Sequence, residues 1–229
     1  KERKEFEIPN HKETFVSINT DKEATSSNVQ IFYKDLGTPK PSTTVGDYKN
    51  DFIENLFSSM INARLEEYTN SPTPPFVYGY SYHGGLLGRG KEAFQSMAMT
   101  AEDKQLEALR VLAIENERAR KFGFTQSELD RAKTETLAYY EKAFNDRDKN
   151  NSSKYLGIYQ SHFLEGEAMP SISYEYNLAK ELLPTITLKD VNSVIQSYIK
   201  DENRVIILTG PEKEGLKTPT EKDVLAALD

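Results

Sequence analysis

The chain has 229 residues, 37% of them hydrophobic and 28% charged, a balance typical of folded globular proteins and sufficient for one sizeable core or two small ones. Its 29 basic and 36 acidic side chains leave a formal charge of -7, which disfavours a polyanion-binding surface as the main function. There is no cysteine and there are three histidines, His11, His83 and His162, so disulfides, thiolate zinc sites, iron–sulfur clusters and cysteine nucleophiles are excluded, and a transition-metal site would have to recruit carboxylates.

No apolar run approaches the roughly 20 residues of a membrane-spanning helix. The chain opens on Lys1-Glu2-Arg3-Lys4-Glu5 without a methionine and with no signal-like apolar stretch behind it, which reads as a processed protein or a piece of a longer one. Thr14, Val16 and Ile18 then alternate with Phe15 and Ser17, and Val29, Ile31 and Tyr33 repeat the pattern, so both segments are expected to be strands. Residues 21–27 are polar and turn-like, and residues 36–46, with two prolines and a glycine at each end of the loop, form a connection. Asp47 is expected to cap a long helix carrying Ile53, Leu56, Phe57 and Met60 at helical spacing, stopped by residues 71–75.

Residues 76–82 and 93–100 read as a hairpin whose tip, residues 83–90, is rich in glycine. Leu106, Leu109, Ala113 and Ile114 mark the next helix, which a C-terminal cap at Gly123 closes. Thr125-Gln126-Ser127-Glu128 is a capping box and the clearest helix start in the chain. Further helices are expected over residues 152–164, 173–182 and 188–200, the last introduced by Thr187 and Asp190. Val205-Ile206-Ile207-Leu208 reads as a strand buried on both faces. This order predicts an α+β fold: a mostly antiparallel sheet with helices packed on one face, a single domain over residues 1–211, and a linker with the start of a further helix over residues 212–229.

Few residues point to chemistry. His162-Phe163-Leu164-Glu165-Gly166 begins like the H-x-x-E-H of inverted zinc peptidases, but Gly166 stands where the second histidine is required. Gly84, Gly85, Gly88 and Gly90 lack the lysine, hydroxyl and following helix of a phosphate loop. Tyr78, Tyr80 and Tyr82 share one face of their strand, as a core or chamber lining more than a base-stacking platform, because only Arg89 and Lys91 lie near them in sequence. No G-x-S-x-G elbow is present, and residues 115–121 read as the solvated face of a helix.

Taken together, residues 12–211 resemble a noncatalytic α+β domain of the insulinase/pitrilysin family of zinc metallopeptidases, which includes mitochondrial processing peptidase. The resemblance rests on the paired strands before Asp47, the helix ending Asn62-Ala63-Arg64-Leu65-Glu66-Glu67, and the aromatic hairpin of residues 76–100. Phe122-Gly123-Phe124-Thr125-Gln126-Ser127-Glu128-Leu129, resembling the family's G-[FV]-T-x-x-E-L helix entry, and Thr187-Leu188-Lys189-Asp190-Val191 complete it. It implies a LuxS/mitochondrial processing peptidase-like metallopeptidase fold. The family's zinc ligands are not matched: His11 is followed by Lys12-Glu13-Thr14-Phe15, and the Arg and Tyr that hold substrate in other noncatalytic domains have no counterpart, since Arg64 has Ser71 at the corresponding offset.

The resemblance therefore implies a second, catalytically silent domain that holds no catalytic residue, metal or cofactor of its own. In the parent zinc metalloendopeptidase another domain of the same polypeptide binds the zinc. This domain would form chamber wall and help position peptide substrates, with no nucleic acid and no membrane span involved. Peptide contacts are expected at Tyr33, Lys34 and Gly37 at one strand end and at Tyr78 and Tyr80 on the strand taken to lie beside it, through pairing with an exposed strand edge. Bacterial relatives of this type are often exported, so the compartment that the resemblance implies is the periplasm or cell envelope, which the residues themselves do not fix. The alternative is a noncatalytic scaffold or protein-binding subunit using the same fold.

Overall fold

The computed structural model describes residues 8–35, 40–86 and 91–228. In chain order the elements are strands β1 (Phe15–Asp21) and β2 (Ser27–Asp35), helix α1 (Val45–Thr69), strands β3 (Tyr78–Gly85) and β4 (Glu92–Thr100), helices α2 (Gln105–Phe122), α3 (Gln126–Asn145), α4 (Ser152–Glu165), α5 (Ile172–Leu182) and α6 (Leu188–Tyr198), strand β5 (Arg204–Pro211) and helix α7 (Glu221–Ala226). They fall into two compact units. One comprises Lys1–Pro39, Ile61–Gly123 and Ile195–Asp229, the other Lys40–Met60 and Phe124–Val194.

The first unit holds all five strands, in the order β1-β5-β2-β4-β3. β1 and β5 run parallel, and every other neighbouring pair is antiparallel, so the mostly antiparallel sheet expected from the sequence holds. Period-two alternation gives the sheet two unlike faces. Val29 and Ile31 on β2, Ile206 and Leu208 on β5 and Phe94 and Ala98 on β4 are fully or almost fully buried; in register Val29 lies between Ala98 and Leu208, Ile31 lies opposite Ile206, and Phe94 lies opposite Tyr33. α2 packs over β2 and β4 with Ala108, Leu109 and Leu112 at 0% exposure. α7 packs on β1 and α2, burying Val224. β5 departs from expectation: its burial alternates, because Val205 and Ile207 point to the face that α2 leaves uncovered.

A chain of polar side chains threads this core. Ser81 Oγ donates to Ser96 Oγ at 2.8 Å, and Ser96 Oγ donates to Asn116 Oδ1 at 3.1 Å. Glu115 is 1% exposed, so the expectation that residues 115–121 are a solvated face fails at Glu115, Asn116 and Ala119. Its carboxylate accepts hydrogen bonds from Tyr68 at 2.8 Å and Arg118 at 3.3 Å and lies 4.0 Å from the Arg64 guanidinium, which in turn donates to the Gly123 carbonyl. A carboxylate this deep is tolerable only with such partners.

The second unit is helical. α3 packs on α5 through Leu129, Ala132, Leu178 and Ala179. Edge-on ring pairs, Phe57 with Phe124 and Phe52 with Tyr140, join residues 45–60 of α1 to this core. α4 ends at Gly166 in the left-handed conformation, φ 79°, which glycine adopts without steric cost.

Helix starts follow one chemistry in both units. Thr125 and Glu128, Thr187 and Asp190, and Thr220 and Asp223 each exchange hydroxyl, amide and carboxylate hydrogen bonds across one turn. α1 uses the same device: Thr44 is the cap, and Asp47, expected to cap, is its partner in the first turn. Thr125→Ala should cost about 1 kcal/mol, read as a lower urea midpoint with an unchanged slope. Hydrogen bonds from Thr187 hold the Asp190 carboxyl below the usual range. Its contribution is therefore full above the ordinary aspartate value of about 3.9 and is lost as pH falls through the depressed folded value. Asp190→Asn should remove that part of the acid dependence, measured as thermal midpoint against pH.

Candidate functional site

The face of the sheet opposite α2 is the candidate surface. Register places its side chains in rows across all five strands: Tyr82, Gln95, Phe32, Val205 and Phe15 in one, Tyr80, Met97, Gln30, Ile207 and Ser17 in the next, and Tyr78, Met99, Asn28, Thr209 and Asn19 in the third. None of these fifteen residues is charged. Tyr78 is 49% and Tyr80 40% exposed, and the Tyr80 and Tyr82 rings stack with centroids 5.2 Å apart. Partial burial and the neighbouring Tyr82 push the Tyr80 phenol up from a value already above physiological pH, so the ring carries no charge there. A neutral, polarisable surface of tyrosine, methionine and phenylalanine suits apolar and aromatic side chains of an extended chain.

The structure separates the expected contacts. Tyr78 and Tyr80 lie together on this face. Lys34 shares the face at the end of β2, level with Ala93 and Gly84, and its ammonium donates to the Pro9 carbonyl at 2.7 Å. Tyr33 must be removed from the set: it is 3% exposed, points to the helix-covered side against Phe94, and its phenol is pushed up by burial. Gly37 lies outside the described residues. The strand of residues 76–82 is not beside β2 either, because β4 lies between them. The glycine-rich tip is shorter than expected, His83, Gly84 and Gly85 being the last residues of β3; residues 87–90 lie outside the described residues.

Pairing of a peptide along these strands meets an obstacle the sequence did not reveal. β2 is interior and has both edges occupied. β3 is an edge strand, but the Asn62 side chain on α1 accepts from the Ser81 N–H at 2.7 Å and donates to the Ser81 carbonyl at 2.8 Å. Both outward main-chain groups at the middle of β3 are thereby taken. Small residues flank this point: Gly79 sits against the Phe76 ring, where a Cβ would come within 3.0 Å, and Ser81 is fully buried. The available signal was the run of small residues between the tyrosines and an asparagine beside the buried Ile61.

Among the described residues, no group of three or more histidine, aspartate and glutamate side chains is placed to hold a metal ion. His162 Nδ1 is engaged with the Glu167 carbonyl at 2.7 Å in the last turn of α4. The residues described do not fit a zinc site. The second unit contains a cavity of about 360 Å³ lined by Tyr48, Asp51, Glu54, Tyr140, Glu167 and Glu175 among others. Burial and then Glu175 raise the Tyr140 phenol to about 12, and burial raises the Asp51 carboxyl. None of the expected site residues lines it.

Asn62→Ala should leave the Ser81 amide and carbonyl without partners and destabilise the protein by about 1–3 kcal/mol, seen in urea unfolding together with faster hydrogen exchange at Ser81 than at its β4 neighbours.

No family model matches the sequence. A protein of Arabidopsis thaliana called zinc protease PQQL-like is 29% identical over 191 residues, 82% of this chain and 16% of the relative. Among solved structures, the first half of the periplasmic protease PqqL from Escherichia coli superposes with a TM-score of 0.85 over 99% of this chain and 48% of its own, at 17% identity. A peptidase M16 inactive domain from Pseudomonas fluorescens gives 0.63 over 96% and 48%, at 15% identity. The chain thus spans less than half the length of each of these relatives. It has the fold of these peptidase domains and resembles the noncatalytic domain of insulinase/pitrilysin-family zinc metallopeptidases.

Proposed function

We propose that the chain is a noncatalytic domain of a multidomain zinc metalloendopeptidase, where it forms part of the chamber wall and helps bind and position peptide substrates. Zinc, held by another domain of the same polypeptide, would polarise the scissile carbonyl and activate the attacking water. This chain's own contribution is the uncharged aromatic face, and that face is the observation that carries the reading: three rows of side chains without a charge, in a protein of formal charge -7. Tyr78 and Tyr80 contact peptide side chains, and Lys34 at the end of the face supplies a positive charge beside the chain. Contact is through side chains, because Asn62 closes the middle of the β3 edge. The name of the Escherichia coli structure supports placing the protein in the periplasm.

A second reading, a scaffold or protein-binding subunit, is favoured by α4, which exposes Leu156 at 66%, Tyr159 at 56% and Phe163 at 85%. Such a stripe is typical of protein contact.

Two measurements test the proposal. The isolated chain should carry no stoichiometric zinc and cleave no peptide; one tightly held zinc that disappears in His162→Ala would sink it. In the parent peptidase, the double variant Tyr78→Ser, Tyr80→Ser should raise KM about tenfold, the loss of one or two aromatic contacts, with kcat unchanged. An unchanged KM with a correctly folded variant would favour the scaffold reading.

A further inference from the structure

The two edges of the sheet are treated differently. At β3 the central main-chain groups are sealed by Asn62. At β1 they are not: the strand pairs only with β5, and among the described residues no hydrogen bond outside that ladder involves the main chain of residues 15–20. Phe15-Val16-Ser17-Ile18-Asn19-Thr20 contains no charge and no proline, the usual devices that keep an exposed edge from pairing with another chain. The helix-facing layer is also unfinished at this edge. Ile206 and Leu208 are 0% exposed, whereas Val16 and Ile18, their partners in register, are only half-buried. α7 packs over β1, so the helix layer reaches this edge of the sheet.

We infer that β1 accepts a sixth strand: an extended, uncharged segment with apolar residues at alternate positions, supplied by a part of the same polypeptide outside these residues. The alternation follows from Val16 and Ile18, which would meet every second side chain of the added strand. A permanent occupant fits better than a passing substrate, since a neutral open edge left uncovered is an aggregation hazard. The curated relative, of which this chain covers 16%, has ample further sequence for such a segment. The edge carries the inference and the relative's length only the choice of occupant; neither depends on the peptidase reading.

Hydrogen exchange of this chain, read amide by amide, tests it. The probe is the capped hexapeptide Thr-Val-Thr-Val-Thr-Val. In dilute chain alone, the outward amides of residues 15–20 should exchange as unprotected groups. Saturating peptide should slow them by about tenfold or more while leaving Ser81 as it was. Ser17→Lys with Asn19→Lys, both at exposed positions, should diminish the peptide effect without altering protection of β2 and β5, which controls for folding. Three results would overturn the inference: outward β1 amides already protected in the dilute chain, no change at saturating peptide, or protection that rises with chain concentration alongside a dimer in sedimentation, which would make a second copy the occupant.

Discussion

The hydrogen bonds between Asn62 and Ser81 decide more than their own strength suggests. A buried amide or carbonyl without a partner costs about 1–3 kcal/mol, and Asn62 answers both groups of one residue at once. Because the Ser81 hydroxyl continues to Ser96 and Asn116, a single polar line ties α1, β3, β4 and α2 together. That line fixes which side of β3 faces the helices. With a period of two, it also fixes Tyr78, Tyr80 and Tyr82 on the opposite side. The exposed aromatic face is in this sense a consequence of one asparagine–serine pairing.

A second polar anchor serves the same unit. Glu115 lies at the bottom of α2's buried side with Tyr68, Arg118 and Arg64 around it, and Arg64 also reaches the Gly123 carbonyl at the end of α2. Such a cluster adds little net stability compared with apolar residues of the same volume, but removing one member would strand the others. Its value is orientation: it sets the last turns of α1 against α2 in the register that lets Asn62 find Ser81. Charge is thus held within the helical layer, at the surface or at the end of the sheet, and the three central rows of the open face are left neutral.

Much of this was legible in the sequence, and the failures have physical causes. Strand alternation and the threonine capping boxes are local signals, and they placed nearly every element. Which face of β2 is buried is not local: Tyr33 and Lys34 fit the same alternation, and only the position of α2 puts Tyr33 inside. Strand order is less local still. β5 comes from residues 204–211 and inserts between β1 and β2, so two strands adjacent in sequence are not neighbours, and β2 becomes an interior strand without a free edge. Glu115 and Asn116 look like ordinary helix-surface residues until their distant partners Arg64, Tyr68 and Ser96 are in place. The apolar run in β5 suggested burial on both faces, whereas one of its faces forms part of the open surface.

The contrast between the edges bears on how a peptide would be held. Strand addition at β3 would have to displace Asn62 from the main chain of Ser81, exchanging two satisfied hydrogen bonds for two new ones with no net gain. Side-chain contact with the tyrosine and methionine rows carries no such cost, and it discriminates by composition: a charged residue brought against a face with no counter-charge is desolvated without compensation, while an aromatic or aliphatic one is not. Selection would therefore act on alternate residues of an extended chain. Lys34 stands at the end of the face with its ammonium already turned toward Pro9, so an acidic group would find attraction only there. Under the proposed role, binding of this kind would tolerate many sequences, since it reads the character of alternate side chains rather than a fixed motif.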